Sequence, residues 1–268
     1  GLPGPRASSI MGVMSVKIGF LSPARWGRGF SRLNFRRADE CDAVLRWLDA
    51  GAGERILDVG SGDGYYDWRI SRSGARVTGI DLHEERLAFA RKHYGSDTTE
   101  FLTMDAEKAD LPAGAYDKAM SLCVMEHLGD DERVMRNVAK ALRPGGRFVF
   151  SADSLSNPGL RPRERERHRE RYAVNTFYTP EVVRDKLART GFDVEDTRFV
   201  MDSPFALGLV RLSWKLDRFP RVLAPVRTLG YVLLGAVWSA SRPFRAGKRR
   251  SAAAGGLTIV VRARKRGA

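Results

Sequence analysis

Cysteine is scarce in this chain, long apolar runs are missing, and its first 37 residues contain no acid at all. Two cysteines, Cys41 and Cys123, cannot supply a disulfide framework, and such sparing use suits a reducing compartment. No apolar run reaches the roughly 20 residues that a membrane-spanning helix needs. Residues 229–238 come closest, through Leu229, Tyr231 to Leu234 and Ala236 to Trp238. No secretory leader is evident, and the opening Gly1-Leu2-Pro3-Gly4-Pro5 reads as a cloning remnant of about ten residues, with Met11 or Met14 as the native start. These absences together predict a cytoplasmic protein.

Charge is present in abundance and unevenly placed. The net charge is +14, with +7 in residues 1–37 and +12 in residues 201–268, which leaves −5 for the middle of the chain. A mildly acidic centre between two basic ends points to an anionic surface as partner, either phospholipid or nucleic acid.

The centre alternates between strand-like and helix-like patterns at short spacing. Val44, Leu45, Trp47 and Leu48 give residues 38–50 an apolar helical face before the break at Gly51-Ala52-Gly53. Strands are predicted at 54–59, 76–80, 99–103, 115–122 and 146–152, and helices at 64–73, 83–94 and 130–142. Such alternation builds a parallel sheet with helices on both faces, a Rossmann-like doubly wound α/β fold. Its ligand belongs outside the carboxyl ends of the strands, beside the first one.

That first strand carries the most informative stretch, Ile56-Leu57-Asp58-Val59-Gly60-Ser61-Gly62-Asp63-Gly64. Glycines at 60 and 62 allow backbone to approach a ligand closely, and Gly64 lets the next helix pack on the strand. Asp58 lies near the strand's carboxyl end, where it can meet a cationic group. The second strand ends at Asp81, placed to hold a pair of ribose hydroxyls. The spacing is G-x-G-x-G rather than the dinucleotide pattern. At these residues the chain resembles the class I S-adenosylmethionine-dependent methyltransferases. Further stretches extend the resemblance over residues 40–200: Phe101 to Ala106, Tyr116 to Leu122, Cys123-Val124-Met125-Glu126-His127-Leu128, and Leu142 to Phe150 around Pro144-Gly145-Gly146. A last strand near 257–263 completes it.

The resemblance implies a seven-stranded sheet of order 3-2-1-4-5-7-6 with the last strand antiparallel, over a core of 38–202 plus 255–264. It implies S-adenosylmethionine as cofactor and S-adenosylhomocysteine as product. Asp58, Gly60, Ser61, Gly62 and Gly64 would cradle the methionine part, Asp81 the ribose, and Asp105 and Ala106 would border the adenine. Leu82 and Cys123, at the ends of the second and fourth strands, would complete the cofactor contacts. Tyr65 and Tyr66 either pack against the methionine tail or join ordinary helix–sheet packing.

Methyl transfer is an in-line displacement, so the protein's main task is alignment. An oxygen nucleophile gains from a general base. His127 is the first candidate, because an imidazole of pKa about 6.5 accepts protons near neutrality; a structural role is the alternative. His168, Tyr172 and Tyr178 are second candidates, with a surface or packing role as their alternative. No metal is expected. Ubiquinone-biosynthesis O-methyltransferases resemble this segment with an extra acid where this chain has Cys123, and Glu126 with His127 alone are too few ligands.

Two insertions interrupt the core. Residues 153–177 contain Arg161 to Arg171 with alternating charges, a solvated helix or a substrate lid whose arginines would hold a phosphate or carboxylate. Residues 203–250 place Phe205, Leu209, Leu212, Leu216 and Phe219 on one helical face, then break at Pro220 and Pro225 before a second apolar stretch. This basic amphipathic insertion either meets an anionic membrane or caps the core. The expected acceptor is a small or lipid-like molecule (an isoprenoid, quinone or lipid-linked compound) methylated on oxygen or carbon. An RNA methyltransferase using the basic ends is the first rival, though no Asn/Asp-Pro-Pro-Tyr/Phe segment follows the fourth strand. A non-catalytic cofactor-binding scaffold is the second. No nucleic-acid partner is expected on the favoured reading.

Overall fold

A computed structural model of the chain describes residues 34–220, 223–242 and 255–267. The predicted arm at residues 1–37 falls almost wholly outside them, as does the basic run 243–250. The described residues form two compact units. One draws on residues 41–154, 175–198 and 258–267; the other draws on residues 34–40, 155–174, 199–220, 223–242 and 255–257.

The first unit is built on a seven-stranded sheet. Its elements are β1 (Arg55–Val59), α2 (Tyr65–Ser71), β2 (Arg76–Asp81), α3 (Glu84–Tyr94), β3 (Thr99–Thr103), β4 (Tyr116–Leu122), α4 (Asp131–Ala141), β5 (Leu142–Asp153), α6 (Pro180–Arg189), β6 (Phe192–Val200) and β7 (Thr258–Lys265), with α1 (Phe35–Leu48) before them. Strand order is β3-β2-β1-β4-β5-β7-β6. β1 to β5 pair in parallel and β7 runs antiparallel to β5, as expected. Apolar strands covered on both faces make the core: Ile56, Leu57, Ile80, Met120, Phe148, Phe150 and Phe192 are all buried.

Most predicted boundaries hold to within a few residues, because each helix start is written locally. Asp130 caps α4 through the Arg133 N–H, and Thr179 caps α6 through the Val182 N–H, with Pro180 in the first turn. β5 departs from expectation. It begins at Leu142, directly after α4, and its pairing with β4 jumps from Leu142 to Arg147. Pro144 to Gly146 are thus bulged out within the strand rather than forming a turn before it.

The second unit contains α5 (Pro162–Tyr172), α7 (Pro204–Leu216) and α8 (Ala224–Ala240). α5 is the solvated helix expected of its alternating charges, with His168 its one buried residue. On α7 the apolar face divides: Phe205, Leu212 and Phe219 are exposed, and the buried residues run through Ala206, Leu207, Leu209, Val210 and Ser213. Where apolar residues surround a helix, its neighbours decide which way it turns. Leu216 lies against Gly230 of α8, where a Cβ would come within 2.6 Å. The Phe205 ring stacks on Trp238, with centroids 6.3 Å apart.

Candidate functional site

The glycine turn stands at the carboxyl end of β1. Gly60 and Ser61 both donate N–H bonds to the Ile80 carbonyl, at 2.8 and 3.0 Å, which folds the turn onto the end of β2. Gly60 has φ +83, and a Cβ there would stand 2.4 Å from Val124 Cγ2. The missing Cβ at Gly60 therefore makes room for Val124 of the loop after β4. Gly62 is different: φ is +61 and a Cβ would meet nothing nearer than Arg86 at 3.9 Å. Backbone is bared to open space at Gly62, as a cradle requires. Gly64 carries the packing role expected of it, since a Cβ would strike Phe101 and Ala90 at 2.7–2.8 Å.

Asp81 locks this turn. It is 3% exposed. One carboxylate oxygen accepts the Gly62 N–H at 2.9 Å and the other accepts the His83 N–H at 2.9 Å. Each oxygen keeps a second lone-pair direction, so the carboxylate can still receive a pair of hydroxyls. Leu82, next in sequence, is 54% exposed, an apolar side chain left in water beside the ligand end of β2.

Behind the turn lies an acid whose role was not foreseen. Asp67, in the first turn of α2, is fully buried. Gly79, in the middle of β2, exists to admit it: a Cβ there would come within 2.7 Å of Asp67 Oδ1 and 2.8 Å of Ser61 Oγ. Burial pushes the Asp67 carboxyl up to about 8; the charges of Asp63 and Asp81 add to the rise, and a bond with the neighbouring Asp58 carboxyl opposes it. Asp58 itself is 2% exposed. Asp58, Asp63 and Asp81 thus surround one backbone turn with Asp67 behind it, an environment that favours a cationic ligand. A glycine inside a strand and an acid on the sheet-facing side of the next helix were the available sequence signals.

The ends of β3 and β4 complete this face of the sheet. Asp105 Oδ1 accepts the Glu107 N–H at 3.0 Å, and the Ala106 carbonyl accepts the Asn137 amide at 2.9 Å. Glu107 in turn accepts the Gly129 and Asp130 N–H groups, at 2.8 and 3.2 Å, which ties the loop after β3 to the loop after β4. Cys123 has φ +51, a left-handed backbone that costs a non-glycine residue about 1–2 kcal/mol. Its N–H reaches both the carbonyl and the hydroxyl of Ser151 at 3.2 Å. Strain of this kind persists where neighbours over-determine it, and such positions cluster at functional sites.

Glu126 and His127 follow in a short 3-10 turn, Met125–His127. Glu126 is buried, and His127 Nε2 stands 3.8 Å from its carboxylate. Asn175, which the sequence had not singled out, holds this turn from a distant segment. Its N–H donates to the Glu126 carbonyl at 2.8 Å and its side-chain amide to the His127 carbonyl at 2.9 Å. Among the described residues no group of three or more His, Cys, Asp or Glu side chains is arranged to hold a metal ion.

Two other candidates have different surroundings. Tyr178 is completely buried and its hydroxyl is bonded to Asp131; Lys186 holds the same carboxylate at 2.6 Å. Burial and the Asp131 charge raise the Tyr178 hydroxyl far above its ordinary value, so it holds its proton and braces α4 against the segment before α6. This removes it as a general base. His168 belongs to the helical unit, where its ring lies 4.5 Å from Tyr172 and 6.0 Å from Trp214. Tyr65 joins Leu87, Ala90, Tyr94 and Phe101 in a core cluster, which settles that residue in favour of ordinary packing.

Comparison with known proteins agrees with this geometry. Residues 57–150 match the family described as a methyltransferase domain. The ubiquinone biosynthesis O-methyltransferase of Sodalis glossinidius is 36% identical over 119 residues, 41% of this chain and 45% of that protein. The chain thus spans about half the length of such relatives. Among solved structures, the phosphoethanolamine N-methyltransferase 2 of Haemonchus contortus, in complex with phosphomonomethylethanolamine and S-adenosylhomocysteine, superimposes with a TM-score of 0.62 at 19% identity, covering 85% of this chain and 52% of that one. The [4+2]-cyclase SpnF gives 0.61 at 19% identity, over 87% and 82% of the two chains. Matched segment, sheet order and glycine turn agree, and residues 57–150 are similar to the methyltransferase domain family within a fold shared with S-adenosylmethionine-dependent methyltransferases.

Proposed function

We propose that the sheet unit binds S-adenosylmethionine over the glycine turn and that the chain transfers its methyl group to an oxygen or carbon atom of a small, lipid-like acceptor. One observation carries the cofactor half: the Asp81 carboxylate clamps the Gly62 and His83 N–H groups beside open space at Gly62. On this reading Asp81 receives the ribose hydroxyls. Asp58, Gly60, Ser61, Gly62 and Gly64 line the methionine end, where the surrounding carboxylates favour its positive charges. Leu82, Asp105, Ala106 and Cys123 border the adenosine. The cofactor, when bound, supplies a methyl group already activated for displacement, so the chain contributes alignment and, for an oxygen acceptor, a base. His127 is proposed for that base because Asn175 fixes its backbone and its side chain is partly open to solvent. His168 is kept as the second candidate.

The acceptor class rests on the helical unit and on the relatives. Val226, Leu229, Leu233 and Val237 recur at i, i+3, i+7 and i+11 along α8, and all are exposed. Among the described residues no helix is long and apolar enough to cross a membrane. An apolar stripe on a helix of this length, in a strongly basic chain, suits interfacial binding at the inner face of a membrane, with the remainder in the cytoplasm. The match to a ubiquinone biosynthesis O-methyltransferase supports an isoprenoid or quinone acceptor.

Calorimetry with S-adenosylmethionine and S-adenosylhomocysteine tests the site, and absence of heat with both on folded protein refutes it. Incubation of the protein with labelled cofactor and a lipid extract tests the transfer; label must appear in an organic-soluble product. Sedimentation with anionic vesicles tests the membrane surface, and salt-dependent RNA binding without vesicle binding would favour the nucleic-acid reading.

A further inference from the structure

Helices α5 and α7, with the turn that follows α7, line a cavity of about 300 Å³ in the helical unit. The residues meet in rungs, as i, i+3/i+4 and i+7 positions do on facing helices. The first rung is neutral. Arg211 grips Glu164 bidentately, Nε to Oε1 at 2.8 Å and the terminal amine to Oε2 at 2.7 Å, and Glu164 is held below the usual carboxylate range by that contact. Its charge is therefore spent.

The rungs beyond it carry cations without acids. Arg167, Arg171, Lys215 and Arg218 all line the cavity, and among the described residues no carboxylate pairs with any of them. Two of the nearby acids are engaged elsewhere, Glu166 with Arg169 at 3.8 Å and the Asp217 carboxylate with the Tyr231 hydroxyl at 2.8 Å, and Glu170 is exposed on α5. Arg171 gives one amine to the Asp217 carbonyl at 3.5 Å, while its Nε is buried and finds no acceptor. Tyr172 and Trp214 supply apolar surface on the same wall. Like charges gathered around a concavity repel one another, and a buried donor without an acceptor costs free energy. An anion in the cavity relieves both.

We propose that this cavity binds a phosphate- or diphosphate-bearing ligand, its anion held by Arg167, Arg171, Lys215 and Arg218 and its stem resting on Tyr172 and Trp214. Guanidinium forks match phosphate oxygens bidentately, which makes arginine suited to the role. The volume admits a headgroup or a diphosphate with a short stem, at the small end of ligand pockets. Nothing in this assignment depends on the cofactor reading.

The test is titration of the whole chain with inorganic pyrophosphate by calorimetry, at an ionic strength of about 0.15 M where diffuse surface attraction is largely screened. The expected result is saturable one-to-one binding. Arg171→Gln combined with Lys215→Gln weakens it about tenfold or more, and leaves S-adenosylhomocysteine binding as it was. Arg218→Gln alone is the second variant should the double substitution fail to fold. Vesicles of phosphatidic acid in phosphatidylcholine then identify the source of the phosphate. Retention that depends on the same residues assigns a lipid headgroup, and pyrophosphate binding without retention assigns a soluble ligand. No saturable heat, undiminished affinity in the variants, or an RNA oligonucleotide that binds without competition from pyrophosphate would each overturn the proposal.

Discussion

Replacing Asp67 by asparagine isolates the buried acid behind the glycine turn. In the folded chain its carboxyl is pushed from 3.8 up to about 8, chiefly by burial. The folded protein therefore holds a proton that the unfolded chain releases above pH 4. Stability from this group is fully present below the unfolded value and is lost as pH rises through the folded one. Between pH 5 and pH 7 the loss is about 1.36 kcal/mol per pH unit for one proton. Carried to pH 8 it totals roughly 5 kcal/mol, beyond which it levels off. Asparagine has the shape of the protonated acid, keeps an N–H to offer Asp58, and does not titrate. Asp67→Asn should therefore match the wild type only below about pH 4 and become progressively more stable than it towards pH 8. Urea denaturation of both proteins at intervals of half a pH unit reads the difference directly. A cationic ligand at the turn should also favour the ionised acid, so that cofactor binding near pH 7 releases a proton in the wild type and none in the variant. Calorimetry in buffers of different ionisation heat detects that release. A stability difference that stays flat from pH 5 to pH 8 would show that no proton is held there and refute the reasoning.

Other substitutions separate the parts of the site. Asp81→Ala removes the acceptor of two backbone N–H groups, each charged bond worth about 1.5–3 kcal/mol, so S-adenosylhomocysteine affinity should fall at least tenfold in calorimetry; unchanged affinity would remove Asp81 from the ribose site. Gly60→Ala combines left-handed strain with a clash against Val124 and should cost about 2–4 kcal/mol in chemical denaturation. Val124→Ala should recover part of that cost in the double variant, and failure to recover any would mean the clash is not the cause. Tyr178→Phe leaves the buried Asp131 carboxylate short of one donor and should lower stability by about 1–2 kcal/mol with the methylation rate per folded molecule unchanged; a selective loss of rate would restore Tyr178 to the chemistry. Cys123→Gly relieves the strained backbone and should stabilise the chain by up to about 1 kcal/mol in thermal unfolding.

Much of this protein was legible in order along the chain. Alternating strand and helix patterns, the caps at Asp130 and Thr179, and glycines spaced at 60, 62 and 64 all act over a few residues, so they fix element type, sheet class and the place of the turn. The acid at the end of β2 was equally readable, because strand ends in a parallel sheet share one edge. Three things depended on contacts between distant segments. Gly60 answers to Val124, which lies 64 positions away in sequence. Tyr178 finds Asp131 and Lys186 and so becomes a brace rather than a base. α7 buries Ala206 and Val210 and leaves Phe205 and Leu212 exposed, because an almost wholly apolar helix carries no instruction about its own rotation. The burial of Asp67, and with it the proton it holds, belongs to the same class: a carboxyl titrates according to the water and charges around it, and only packing of α2 over Gly79 decides what those are.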